Sequence, residues 1–315
     1  MSRETEKALR AIKKGLESME EENLSDFLEF MKRGNGNFNI PSFTENFPYL
    51  MNQADSDEPE AYGLLELAQD AETPAEAIRY AKKALKLAPD LLDAELIIVT
   101  TKDSSLGVMQ KDLEKLLKKG EQQLRQQGIT PEEDAGDYYG LLETRPYMRV
   151  CHAYIDVLTL QNKLRRAAVA AENALYLNEN DNLGIRYTLM AIYAALEDQE
   201  KAESLYNRYP GEDTAFLLLP LIALYYKLDD EKTARRYLKK LCSKTEGAID
   251  ALKRIEDDAV DMDALMNMPY YQPYTKQEIL MSYGSSPFLY EPILDFIPWA
   301  IRSCPSKKQS AEKKK

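Results

Sequence analysis

Apolar residues recur along the chain at intervals of three and four, and no segment sustains the two-residue alternation of a half-buried strand. The pattern predicts helices throughout. Glycine and proline are sparse and fall between the periodic stretches as punctuation. The longest apolar stretch, "AFLLLPLIALYY" at residues 215–226, contains a proline and ends on two tyrosines. It predicts a buried helix, since a bilayer span needs roughly 20 apolar residues.

A second, longer period lies over the first. In "AEAIRYAKKALKLAPD", residues 75–90, Ala77, Ala81 and Ala84 share one helical face and Pro89 follows. The same spacing places Ala167, Ala171 and Ala174 in "RRAAVAAENALYLNEND", Ala202, Tyr206 and Tyr209 in "EKAESLYNRYP", and Ala234, Leu238 and Leu241 in "KTARRYLKKL". Ala167, Ala202 and Ala234 stand about 34 residues apart, the length of a tetratricopeptide unit. A small residue lets the second helix of a pair approach the first, and the position seven later packs on the next pair.

On these residues the chain resembles the tetratricopeptide repeat (TPR) family, strongly over 148–248 and well over 58–90. The resemblance implies an all-α superhelical solenoid of antiparallel helix pairs. The expected organisation begins with a helical extension and acidic connector, 1–57. A repeat domain at 58–256 follows, with pairs 58–90, 91–127 (divergent), 148–182, 183–214 and 215–248 and an insertion at 128–147. A C-terminal capping helix pair, 257–303, and a basic tail expected to be disordered, 304–315, complete it. Within the insertion, Thr130 and Pro131 open a short helix running to about Leu142, and the next helix starts near Pro146. In the cap, helices 275–283 and 288–302 flank a Gly-Ser-Ser turn and hide the apolar face of the last repeat.

Composition narrows the function. The chain of 315 residues is 44% apolar and 30% charged, a globular balance. Its net charge of −12 works against broad polyanion binding, so no nucleic-acid partner is expected. A charged N-terminus without an apolar signal core predicts a cytoplasmic protein with no membrane insertion. Cys151, Cys242 and Cys304 are odd in number, widely spaced and outside any CxxC, so neither a disulfide framework nor a zinc site is expected. The oligomeric state is left open.

Catalytic motifs are missing: there is no GxSxG, HExxH, GxxxxGK[ST] or strand-borne GxGxxG. His152 is the single histidine, and its neighbour Cys151 points about 100° away on a helix. Asp257, Asp258, Asp261 and Asp263 lack the glycine and terminal glutamate of an EF-hand and read as a solvated helix start. "NENDN", residues 178–182, reads as a turn with Asp181 or Asn182 capping the next helix. The chain is therefore expected not to be an enzyme, with no catalytic residue, metal or cofactor.

Two blocks carry the candidate site, "GLLETRPYMR" at 140–149 and "LNENDNLGIRY" at 177–187. The TPR resemblance implies that the first helix of each pair lines a concave face through positions 2, 5, 9 and 12. Those positions are Arg149, His152, Asp156 and Thr159 in one pair, and Gly184, Tyr187 and Ala191 in the next. They are Phe216, Leu219, Ala223 and Tyr226 in the last, and Pro59, Tyr62, Glu66 and Gln69 in the first. Arg145 and Arg186 fall at the same helix starts. Helix N-termini are already partly positive, and added arginines suit a carboxylate. Arg145, Arg149, His152, Asp156, Arg186, Tyr187 and Tyr226 are thus the candidate site for a protein or peptide bearing an acidic group. The same arginines also suit pinning of helices, with Glu143, Asp156 or Asp181 as acceptors, and the two roles can coexist. The 20 tyrosines, against 8 phenylalanines and one tryptophan, suit either a peptide groove or packing between repeats.

The two blocks together resemble bacterial TPR proteins that have no assigned reaction and, more distantly, the suppressor-of-tumorigenicity-seven family, over residues 58–250. The Lys and Asn of the chaperone-tail carboxylate clamp are not matched; Tyr62, Glu66, Tyr187 and Tyr226 occupy the inward positions. The expected function is a non-enzymatic peptide-binding scaffold with a concave Arg/Tyr groove. One alternative is an assembly or regulatory adaptor acting through the C-terminal aromatic block of Tyr270, Tyr271, Tyr274 and Trp299. Another is an enzyme with an unrecognised site at the insertion.

Overall fold

The computed structural model describes Leu9, Arg10, Lys13, residues 58–266, residue 268 and residues 271–304. The rest of the expected N-terminal extension, the tail from 305 onward and Tyr270 lie outside the described residues. Those described form helices and no strand. In chain order the helices are α1 (Glu58–Gln69), α2 (Pro74–Leu87), α3 (Leu92–Thr101), α4 (Leu106–Gln126), α5 (Pro131–Asp134), α6 (Arg145–Leu160), α7 (Leu164–Leu177) and α8 (Ile185–Leu196). They continue as α9 (Gln199–Arg208), α10 (Ala215–Lys227), α11 (Glu231–Lys244), α12 (Ala248–Glu256), α13 (Met262–Met266), α14 (Lys276–Gly284), α15 (Pro287–Tyr290) and α16 (Phe296–Ser303). They fall into two compact units, residues 1–133 with 138–153, and residues 134–137 with 154–315.

In the first unit α1 packs on α2, α2 on α3 and α3 on α4. Thr73 opens α2 by accepting the Glu76 amide at 3.3 Å, with Pro74 in the first turn. Ala61, Leu65, Ala68, Ala81, Ala84, Leu91 and Ala94 are buried together. On α4, a Cβ at Gly120 would lie 2.8 Å from the Tyr147 ring and 2.9 Å from Leu92, so this glycine admits a close approach.

In the second unit α7 packs on α8, α8 on α9 and α10 on α11. The helix α8 also packs directly on α10, the first helix of one pair on the first of the next. Ala167, Ala171, Ala202, Ala234, Leu238 and Leu241 are fully buried, as close nesting of paired helices requires. Asp198 and Asp230 cap α9 and α11, each accepting a main-chain amide at 3.1 Å. The helix α10 is apolar all round and sealed: Leu217, Leu218, Leu219, Leu221, Ile222 and Leu224 have no exposure. Each such side chain contributes about 1.5–3 kcal/mol by leaving water.

Much of the tyrosine content belongs to this packing. Tyr193 donates to Glu172 at 2.8 Å, Tyr206 to Asp213 at 2.6 Å, and Tyr237 to Glu203 at 2.8 Å, with Tyr225 sharing Glu203. Each ring fills an apolar interface while its hydroxyl reaches a carboxylate on another element, which phenylalanine could not do.

Three expectations are corrected. The insertion helix ends at Asp134 rather than near Leu142. Gly136, at φ +98°, turns the chain away, donates to Leu177 O at 3.0 Å and accepts from Glu179 N at 2.9 Å, so main-chain pairing replaces the helix. The expected helix 288–302 is broken into α15 and α16. Pro292 supplies no main-chain amide to carry the helical hydrogen-bond ladder onward, and the intervening Leu294 stands 84% exposed. Finally, Cys242 and Cys304 are joined by a disulfide across 62 residues, a pairing that only the folded chain brings together.

Candidate functional site

The turn "NENDN" positions the first cluster. Asp181, at φ +46° and almost fully buried, accepts the Ile185 amide at 2.8 Å and the Arg186 amide at 3.0 Å. It therefore fills the capping role expected of it. Its carboxylate also accepts Arg186 Nη1 at 2.7 Å. On the opposite edge of the guanidinium, Nε and Nη2 donate to Glu212 at 3.1 and 2.8 Å, and Nη2 reaches the Tyr187 hydroxyl at 2.7 Å. Tyr187 in turn donates to Glu212. Burial opposes the charge on Arg186, but the bonds to Glu212 and Asp181 outweigh it and raise its pKa above the ordinary value. Burial and the bond to Glu212 likewise raise the Tyr187 pKa.

An aromatic series continues from Tyr187. Its ring lies 5.0 Å from Phe216, and Phe216 lies 5.7 Å from Tyr271 in the segment before α14. At this point α14 is stitched to the first turn of α10. Thr214, the N-cap of α10, makes no side-chain bond to the helix. Glu278, on α14 and without exposure, accepts the Ala215 amide at 3.0 Å and the Tyr274 amide at 3.2 Å through Oε2. Ser282 donates to Ala215 O at 3.1 Å. Glu278 thus supplies from a distant segment the anion that an N-terminus favours. Its Oε1 is buried without a partner, and burial raises its pKa despite the two amides. Further along α10, Tyr226 packs 5.5 Å from Phe296 and 5.1 Å from Trp299, and Trp299 Nε1 donates to Glu231 at 2.9 Å.

The remaining candidates are distributed over the two units. Arg149, in the first, makes a bidentate pair with Asp93 at 2.7 and 2.5 Å, and Asp93 is 2% exposed. Arg145, also in the first, is buried and donates Nε to Tyr139 O at 3.0 Å, its guanidinium 5.3 Å from the Tyr139 ring. His152 and Asp156 are half-buried on α6. Asp156, Arg186, Tyr187 and Tyr226 belong to the second unit and Arg145, Arg149 and His152 to the first. Cys151 is buried, and burial pushes its thiol pKa up to about 12, which leaves little thiolate for nucleophilic chemistry. Among the described residues no group of three or more His, Cys, Asp or Glu side chains converges in metal-binding geometry.

Sequence reasoning placed Arg149 and Arg186 but missed Asp93, Glu212 and Glu278. An acid inside the apolar run "DLLDAELII" was a signal for Asp93. "TKQE" at 275–278 has capping-box spacing, which marked Glu278 as a residue that binds amides. The chain matches no protein-family model, no curated protein and no solved structure.

Proposed function

We propose that the chain is a non-enzymatic helical-repeat scaffold, TPR-like in its stacking, that holds a protein or peptide segment against the first helices of its pairs. One observation carries the reading. The face of α8 and α10 formed by Tyr187, Phe216 and Tyr226 already holds a peptide segment, the chain's own residues 271–303. The mode of holding has a chemistry: a carboxylate on the α10 N-terminus, an aromatic ring against Phe216 and two against Tyr226. A partner segment carrying an acidic group and aromatics at similar spacing fits the same face. Rigid helices leave the partner to bear most of the ordering cost.

The arginines take the pinning role in this reading. Arg186, held by Asp181 and Glu212, fixes the start of α8 against the loop before α10, and Arg149 ties α6 to α3 within the first unit. The adaptor alternative loses ground, because Tyr271 and Trp299 of the aromatic block pack against the unit's own helices. Affinity capture with the full chain tests the proposal. Glu278→Ala, which loosens the internal segment, should retain more partner than wild type, and Phe216→Ala added to it should abolish the gain. Equal capture by all three folded proteins would refute the reading.

A further inference from the structure

The internal segment is fastened at its far end. Cys304 closes α16, Cys242 lies in the last turns of α11, and their bond ties the end of the cap to the repeats. Both cysteines are only half-buried, whereas Cys151 is sealed in the core. The cap helix so tied is short: α16 has 8 residues, below the length at which a helix holds itself together in water. It packs on α12, its Trp299 and Phe296 lie against Tyr226, and Trp299 bonds Glu231. The core of α10 and α11 is sealed by its own leucines and does not need the bridge.

We propose that Cys242 and Cys304 are a reversible thiol–disulfide exchange site, a redox clasp whose substrate is a small-molecule thiol of the glutathione class. The thiolate of the small thiol attacks one sulfur of the bridge. The protein S–S bond breaks, and the other cysteine leaves as a thiolate and takes a proton. A second thiolate attacks the mixed disulfide, releasing the small-molecule disulfide and the second cysteine. Two electrons pass from two small thiols to the cysteine pair, and oxidation by the small disulfide reverses each step. Lys239, one turn before Cys242, and Arg302, two residues before Cys304, put positive charge in the sequence around the bridge, favourable to an anionic thiol reagent. Breaking the bridge frees the end of α16 and uncovers Tyr226. That consequence rests on the binding face proposed above; the exchange chemistry does not.

The full chain tests this directly, because Trp299 is the single tryptophan and sits in the clasped helix. Wild type is equilibrated with mixtures of reduced and oxidised glutathione and its tryptophan emission is recorded; exchange is then quenched with acid, and the free thiols, buried Cys151 included, are alkylated in denaturant and counted by mass. The clasp predicts one alkylated cysteine, Cys151, under oxidising mixtures and three under reducing ones. It also predicts a red shift of Trp299 on reduction and about tenfold faster protease cleavage near the exposed Leu294. Cys242→Ala should match the reduced protein in emission and ignore the glutathione ratio. Three free thiols at every ratio would overturn the exchange site. A bridge that forms and breaks without moving Trp299 emission or cleavage would overturn the clasp, as would a Cys242→Ala protein that matches oxidised wild type. None of these readouts involves a partner, so failure here is distinguishable from failure of the binding face.

Discussion

Arg186 and Glu212 are joined by two bonds along one edge of the guanidinium, at 3.1 and 2.8 Å, while Asp181 holds the third nitrogen at 2.7 Å. The pair links the first turn of α8 to the loop before α10, and so sets the spacing of Tyr187 and Phe216. Removing only the cation strands two carboxylates, one with a side chain of zero exposure. Arg186→Met should therefore cost about 3 kcal/mol of unfolding free energy, at the low end for a buried pair because Arg186 keeps some solvent contact. The Arg186→Met, Glu212→Met double variant should cost less than the single one. Urea denaturation checks both, and a double variant less stable than the single would contradict the assignment.

Glu278 makes a pH prediction. Burial, with Glu212 adding repulsion, raises its carboxyl pKa above the ordinary 4.5. The folded chain then binds this proton more tightly than the unfolded chain does. The contribution of Glu278 is full below the ordinary glutamate value and is lost as pH rises through the raised folded value. Glu278→Gln keeps an acceptor for the Ala215 and Tyr274 amides and has no proton to lose. Its stability relative to wild type should therefore rise between pH 4 and pH 8, by about 1.4 kcal/mol for each tenfold difference in proton affinity between the folded and unfolded chains. Urea denaturation at the two pH values measures the gain. Parallel stability curves for the two proteins would rule out a titrating Glu278.

Gly120 opposes two ordinary effects. Alanine in place of glycine inside a helix normally gains about 0.5–1 kcal/mol. Here the new methyl would meet Tyr147 at 2.8 Å and Leu92 at 2.9 Å. Overpacking of this kind costs about 1–3 kcal/mol, so Gly120→Ala should be net destabilising by about 1 kcal/mol. Thermal unfolding decides the sign, and a raised midpoint would mean that the neighbours yield freely.

What the sequence disclosed and what it hid follow from range. The Ala167–Ala171–Ala174 stripe and the Asp181 cap are local signals, set by spacing within one or two helical turns, and the structure places them as read. The helix break at Pro292 was also local, but the apolar pattern across 288–302 masked it. Partners of Arg149, Glu278 and Cys242 lie 56, 63 and 62 residues away in sequence. No periodicity reports such pairings. Phe216 and Tyr226 stood out in the sequence as aromatics of one helix, whereas their covering by Tyr271, Phe296 and Trp299 did not, because an aromatic that caps a helix and one that awaits a partner look alike in sequence.

The central claim is that the face of α8 and α10 accepts a peptide segment and now holds the chain's own. A fluorescent peptide of residues 271–304 titrated into the full chain, followed by anisotropy, tests it most directly. The account predicts weak binding to wild type and at least about tenfold tighter binding to Glu278→Ala, in which the internal segment competes less well. Binding that is absent from both folded proteins, or equal in the two, would contradict it.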